Sequence, residues 1–465
     1  MRVGTPLSSV LMSDRGAAQP VAYCGDTTLE WRDFQAQVMA LAAQLARHPG
    51  NSWMLACRDA YYFLCAFFAV LQSGKQVVIP PNFQPGTLAS LQAEVDGWLV
   101  DDLSTVPAGQ QPWLLVPTPA PAMATPPKPI ADDAVVDLFT SGTTGRPKRI
   151  RKRLAQLAAE VEVLESLWGE QLQAAAVVST VPHYHIYGLL FRLLWPLYAG
   201  RAFDVAVCGN PNELVQRLQK LGRAAVISSP AQLSRLPELT DPAKLAPQAV
   251  QIFSSGGPLP PTAAQAFADV LGRAPTEVYG SSETGGIAWR TQTGTVDGSA
   301  WAPLPRVDIR TGEDGALHVR SPFIDAHDWF VTADGADIQA DGRFRLLGRL
   351  DRIVKLEEKR LSLTELEDRL RQHPLVAEAG SVLLEGSRRL LGVVLALNKD
   401  GQALLQHRGR RALVDEMKLF LAQHYEAPLL PRQWRFTETL PQNDRGKVSS
   451  QALAALFTPT EQRDS

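Results

Sequence analysis

The sequence predicts an α/β protein: a large N-terminal layered domain with mainly parallel sheets, a small β-rich subdomain, and a small α+β C-terminal domain. Three patterns carry that expectation. Between residues 27 and 100, amphipathic or apolar helical stretches alternate with short apolar runs, the signature of helices layered on a sheet. Four more apolar runs, at residues 175–181, 224–228, 249–254 and 276–279, each give way to polar, Gly or Pro residues and then to a helical pattern. Beyond Gly348-Arg349-Leu350-Asp351-Arg352 the pattern becomes a compact mixture of helix and strand, which places a boundary near Asp351 and predicts domains 1–350 and 351–465.

In chain order, Phe34, Val38, Leu41 and Leu45 share one face of a first helix. A second helix over residues 60–71 is apolar all round, started by Asp59 and ended by Gly74. Strands follow at Val77-Val78-Ile79-Pro80 and Trp98-Leu99-Val100, with a helix from Thr87 between them. Residues 107–129 are proline-rich and aperiodic, as in an exposed connector. The run Ala134-Val135-Val136-Asp137-Leu138-Phe139 reads as a buried strand, and Leu154, Leu157, Ala158, Val161, Leu164 and Trp168 as one face of a helix. Residues 312–341 carry Gly-Asp turns and short alternating runs, the β-rich subdomain. Ser362-Leu363-Thr364-Glu365 is a capping box that opens a helix, and residues 391–397 form a strand.

A chain of 465 residues has room for about two to four domains, and 45% hydrophobic with 20% charged residues is the balance of a soluble globular protein. A formal net charge of -2 argues against a nucleic-acid-coating surface and favours small molecules or a small acidic protein as partners. The four cysteines, Cys24, Cys57, Cys65 and Cys208, lack metal-ligand spacing and read as reduced thiols of a cytoplasmic protein, two of them in the core. The N-terminus lacks the apolar stretch of a signal peptide, and the longest apolar run is too short to span a bilayer.

Chemistry concentrates in Phe139-Thr140-Ser141-Gly142-Thr143-Thr144-Gly145-Arg146-Pro147-Lys148. A strand opening into a glycine- and hydroxyl-rich turn offers N–H and O–H donors to phosphate oxygens, and Lys148 adds a full positive charge. The site is one for the phosphate tail of a nucleotide. The spacing does not fit Gly-x-x-x-x-Gly-Lys-[Ser/Thr], so it is not a Walker A loop. The ten residues instead resemble the signature loop of the adenylate-forming superfamily, which includes acyl-CoA synthetases, peptide-synthetase adenylation domains and firefly luciferase.

Further motifs extend the resemblance over nearly the whole chain. Pro182-His183-Tyr184-His185-Ile186-Tyr187-Gly188 is similar to the family's Pro-x-x-His-x-x-Gly, which implies that His185 lines the pocket where the acid's carboxyl meets the nucleotide. Ser254-Ser255-Gly256-Gly257-Pro258-Leu259 resembles the loop that lies against adenine, where Gly256 and Gly257 let a flat ring approach the backbone. Tyr279-Gly280-Ser281-Ser282-Glu283 resembles Tyr-Gly-x-Thr-Glu. It implies that Tyr279 stacks on adenine, Ser282 holds the α-phosphate and Glu283 holds Mg²⁺, a hard cation that prefers carboxylate oxygen. Thr332-Ala333-Asp334 looks like Thr-Gly-Asp, which makes Asp334, assisted by Arg349, the acceptor for ribose hydroxyls; Asp351 occupies the hinge position of a mobile C-terminal domain. Leu440-Pro441-Gln442-Asn443-Asp444-Arg445-Gly446-Lys447 resembles the C-terminal signature whose lysine, here Lys447, bridges the carboxylate nucleophile and the α-phosphate.

The resemblance implies ATP and Mg²⁺ as cofactors, a carboxylic acid as substrate, and two half-reactions. The acid is activated as acyl-AMP with release of pyrophosphate, then transferred to the phosphopantetheine thiol of CoA or of an acyl carrier protein. Ser282, Ala333 and Glu358 depart from the pattern, and Glu358 stands where the family has a glycine beside the pantetheine tunnel. A nucleotide-binding regulator without turnover and an adenylate-forming oxygenase are the alternatives; Lys447 argues against the first, because binding alone does not need it.

Overall fold

The computed structural model describes residues 4–103, 113–116, 126–141, 147–245, 247–292, 300–325, 328–356, 359–384, 390–425, 429–441 and 448–457. The chain divides into two compact units: Met1–Ile309, Val319–Phe330 and Ala340–Arg343 form the first, and Arg310–His318, Val331–Gln339 and Phe344–Ser465 the second.

The first unit is built on two sheets. A six-stranded sheet runs in the order Trp113–Leu115, Gly97–Val100, Ser52–Ala56, Gln76–Ile79, Val135–Ser141, Pro147–Arg153. All neighbours are parallel except the last, which folds back antiparallel on Val135–Ser141. The nine-stranded sheet runs Ala302–Pro303, Gly285–Thr291, Thr276–Ser281, Ala249–Ser255, Ala224–Ser228, Ala176–Ser179, Phe203–Val207, Pro20–Cys24, Thr27–Glu30. Its pairings from Thr276–Ser281 through Pro20–Cys24 are all parallel, and antiparallel strands close both edges. The mainly parallel layered domain expected from the sequence is therefore present.

Two helices join the layers. The helix Ala60–Gln72 touches strands of both sheets and buries every residue except Tyr62, as a helix apolar all round must. Asp59 starts it by accepting from the backbone N–H groups of Tyr61 and Tyr62 at 2.8 and 3.0 Å. The helix Leu154–Leu172 packs on Pro147–Arg153 of one sheet and Ala249–Ser255 of the other. It therefore has buried polar positions, Gln156 and Glu160, as well as an apolar stripe.

The β-rich subdomain is a four-stranded sheet, in order Asp308–Thr311, Ala316–Arg320, Phe330–Ile338, Phe344–Arg349. In the second unit, a three-stranded sheet of Val376–Leu384, Leu390–Leu397 and Gln433–Thr437 packs with helices over a core that includes Leu366, Leu370, Val393, Leu413, Met417 and Trp434. Ser362 caps the helix Leu363–Arg371, its hydroxyl accepting from Glu365 N at 3.2 Å.

Several elements differ from the sequence expectation. The signature loop does not lead straight into a helix, because Pro147–Arg153 intervenes as a strand and makes the loop a hairpin connection whose last described pair is Ser141 with Pro147. The proline-rich connector contains the edge strand Trp113–Leu115, and Ser52–Ala56 is a central strand. Thr27–Glu30 pairs with Pro20–Cys24 before the first helix, Trp31–Leu45. Three cysteines are buried, not two, and only Cys24 is exposed.

Candidate active site

Parallel strands release their loops at their carboxyl ends, and the two sheets bring two of these loops together. Lys148, on the return strand of the hairpin, places its Nζ 2.7 Å from Oε1 of Glu283, in the turn that follows Thr276–Ser281. That turn is closed by a reciprocal lock: Ser281 N donates to Thr284 Oγ1 at 3.1 Å, and Thr284 N donates to Ser281 Oγ at 3.2 Å. Ser282 and Glu283 are thereby held at its tip, each half-buried. Desolvation pushes the Glu283 carboxyl up, but the Lys148 ammonium and local hydrogen bonds outweigh it and leave its pKa below the ordinary value.

Beneath the turn lie two buried charges. Lys152 Nζ donates to the carbonyl oxygens of Glu283 at 2.7 Å and Phe323 at 2.8 Å. Glu160 Oε1 accepts from Gly286 N at 2.7 Å.

Beside the turn, the carboxylate of Glu277 is a hub. Arg290 binds it with two hydrogen bonds, of 2.8 and 3.0 Å, Gln292 Nε2 donates at 2.7 Å, and the backbone N–H of Leu259 donates at 2.8 Å. The last contact anchors the glycine loop of Gly256 and Gly257, in which Gly256 has φ +97° with nothing facing its Cβ position. Arg290 also lies over the ring of Trp301, 4.4 Å from its centroid, and Trp301 packs on the half-buried Tyr279 at 5.6 Å. One charged pair thus braces both the loop and the ring expected to enclose adenine.

The two histidines of Pro182-His183-Tyr184-His185 separate in role. His183 is buried, its Nε2 3.1 Å from Cys57 O, and burial together with the nearby Arg192 charge lowers its pKa to about 3, so it is a neutral packing residue. His185 is half-buried against Tyr184, ring centroids 4.7 Å apart. Gly188 closes the motif because a Cβ there would run into the carbonyl oxygen of Pro182.

In the second unit, Asp334 and Arg349 are direct cross-strand partners of Phe330–Ile338 and Phe344–Arg349. Thr332 Oγ1 accepts from Asp334 N at 3.2 Å and fixes its backbone. Among the described residues only Gln173 and Arg306 are non-glycine residues with positive φ, so Ala333 occupies its position without left-handed strain.

Residues 13–323 match the family described as AMP-binding enzyme. The chain belongs to that family. This AMP-binding enzyme is 26% identical over 498 residues to anthranilate–CoA ligase of Pseudomonas aeruginosa, covering 92% of each chain. It is 27% identical to 4-coumarate–CoA ligase of Cereibacter sphaeroides, over 67% of this chain and 69% of that one. Its fold resembles ATP-bound MatB from Rhodopseudomonas palustris, with TM-score 0.80, 17% identity and 98% and 99% coverage. It also resembles the O-succinylbenzoate CoA synthetase of Bacillus subtilis in complex with ATP and magnesium ion, with TM-score 0.79, 19% identity and 96% and 99% coverage.

Of the residues expected at the AMP-binding enzyme's site, Lys148 and Glu283 are in contact, and Tyr279 and Ser282 lie on the same strand and turn as Glu283. Thr140 faces Lys148 across the hairpin. Gly142, Thr143, Thr144, Gly145, Glu358 and Lys447 lie outside the described residues, as do the side chains of Ser141 and Asp351. Sequence reasoning missed Glu277, Arg290, Lys152 and Glu160. Lys152 falls at an inward position of an alternating strand, but a lysine there looks like surface until its partners 131 and 171 residues away are known.

Proposed function

We propose that this AMP-binding enzyme is an acid–thiol ligase. A carboxylate oxygen attacks the α-phosphorus of ATP, the bond to the β-phosphate bridging oxygen breaks, and pyrophosphate leaves acyl-AMP behind. A phosphopantetheine thiol, of CoA or of an acyl carrier protein, then attacks the acyl carbonyl carbon, AMP departs with the bonding pair, and the thiol proton passes to solvent. The observation that supports this best is the 2.7 Å approach of Lys148 and Glu283, which sets a cation for phosphate beside a carboxylate for metal where two sheets meet.

Among the described residues no three His, Cys, Asp or Glu side chains gather as a metal cage. Glu283 alone, already paired with an ammonium, fits a magnesium ion whose other ligands are phosphate oxygens and water. When bound, the ion would neutralise charge on the phosphates. Lys148 and the signature loop hold the phosphate tail, Ser282 the α-phosphate, and Tyr279 with Gly256 and Gly257 the adenine. Asp334 and Arg349 hold the ribose, and His185 borders the acid. Lys447 stabilises charge between nucleophile and α-phosphate in the first half-reaction, and the domain 351–465 then turns about Asp351 so that one site serves both steps.

Among the described residues no helix is long and apolar enough to cross a membrane. Pyrophosphate exchange into ATP, measured across aryl, malonate-like and fatty acids, tests the first half-reaction without requiring the right thiol. Exchange with at least one acid is expected, and ATP binding without exchange for any acid would turn the reading toward a regulator. Robust thioester formation with CoA and none with any holo-carrier protein would make the acceptor CoA.

A further inference from the structure

Lys152 has no reason to be buried on packing grounds. It occupies an inward position of Pro147–Arg153 with 2% of its surface exposed, where an aliphatic side chain would avoid the cost of desolvating an ammonium. What it gains is specific. Its ammonium donates to the carbonyl of Glu283 and to that of Phe323, at 2.7 and 2.8 Å. Lys148 and Lys152 sit four positions apart on one strand and hold the same residue, one by its carboxylate and the other by its backbone.

From the other side, Glu160 of Leu154–Leu172, 3% exposed, accepts from Gly286 N at 2.7 Å. Gly285, with φ +69°, lets that carboxylate come close, since a Cβ there would collide with Glu160 Oε2. Residues 283, 285 and 286 are therefore each fixed by a buried charge or by the room made for one. Neither Lys152 nor Glu160 is among the residues expected to touch nucleotide.

We infer that Lys152 and Glu160 are positioning residues for the metal-binding turn, fixing the backbone of Glu283 so that its carboxylate meets the magnesium carried by the nucleotide's phosphates. The inference rests on the reading of Glu283 as the magnesium ligand. The charged groups facing Lys152 are Glu160 from the helix, Glu283 from the turn, and Asp325, which also pairs with Arg153 at 3.4 Å. Burial lowers the Lys152 pKa to about 8, while those three carboxylates hold it up.

The test measures the dissociation constant of ATP by calorimetry, without acid, once with Mg²⁺ and once with a chelator. The ratio of the two constants isolates what the metal adds. Lys152→Met should lower that ratio about tenfold, the usual scale for an outer-shell partner of a metal ligand, and Glu283→Gln should abolish it. A wild-type ratio in Lys152→Met beside a collapsed ratio in Glu283→Gln overturns the inference alone; an unchanged ratio in Glu283→Gln removes the metal assignment and the inference with it. Should Lys152→Met fail to fold, Glu160→Ala, which leaves Gly286 N without its acceptor, decides: it too should lower the ratio about tenfold, and a wild-type ratio there overturns the inference.

Discussion

Lys148 Nζ lies 2.7 Å from Glu283 Oε1 across 135 residues of sequence. The side chains are 61% and 31% exposed, so the pair contributes no more than about 1 kcal/mol to folding. On the proposed reading its significance is local: the Lys148 ammonium stands beside Glu283 where a magnesium ion would, and the Glu283 carboxylate stands beside Lys148 where a phosphate oxygen would.

Lys148→Met should therefore leave the melting temperature nearly unchanged while pyrophosphate exchange falls by about 100-fold, the scale of losing one charged group that faces the transferring phosphate. Thermal denaturation and exchange on the same preparation check this, and a large loss of stability without loss of exchange would contradict it.

Asp334→Ala should weaken ATP binding by removing two charge-assisted hydrogen bonds to ribose, each of roughly 1.5–3 kcal/mol. Calorimetry reads it directly. An unchanged dissociation constant would place Asp334 outside the site.

Lys447→Ala should cut acyl-adenylate formation by orders of magnitude while ATP binding and thiolation of supplied acyl-AMP stay largely intact, because in the proposed mechanism the lysine serves only the first half-reaction. Wild-type pyrophosphate exchange would refute the role.

Stability should carry a pH signature of Glu160. Burial raises its pKa from 4.5 to about 7, against the opposing pull of the Gly286 N–H and Lys152, so folding takes up a proton there. The contribution is complete below 4.5 and is lost as pH rises through about 7. Glu160→Gln lacks this loss, so its melting temperature relative to wild type should climb with pH over that window and then level off. A constant difference would show that the carboxyl titrates normally.

The loops proposed to bear chemistry stand out in the sequence because they follow apolar runs and carry residues with narrow uses, such as paired glycines and a run of hydroxyl residues. The helix Ala60–Gln72 was legible for the same local reason, since its cap and its end are written beside it. The return strand Pro147–Arg153 was not. Its outward residues Arg149, Arg151 and Arg153 are all basic, and on the other face the exposed Lys148 and the buried Lys152 flank Ile150, so alternation in burial leaves no alternation in polarity. Glu277 and Arg290 were hidden likewise, because charges on strands read as solvent-facing until the fold supplies Leu259 N and Trp301 as partners. Trp113–Leu115 is too short for any period to show, and only its pairing with Gly97–Val100 defines it.

The distribution of the thiols has a practical use. Burial raises the pKa of Cys57 and Cys65 well above the ordinary value and that of Cys208 to about 12, while Cys24 is exposed at the end of Pro20–Cys24. A maleimide dye applied to the native protein should therefore attach at Cys24 alone, with no cysteine needing removal. A second cysteine at Leu419, 68% exposed on Lys399–Leu421 of the second unit, would complete a donor–acceptor pair. Energy transfer between the two dyes, followed as ATP, acid and thiol are added in turn, would test in a single cuvette whether the proposed swing about Asp351 occurs and at which half-reaction.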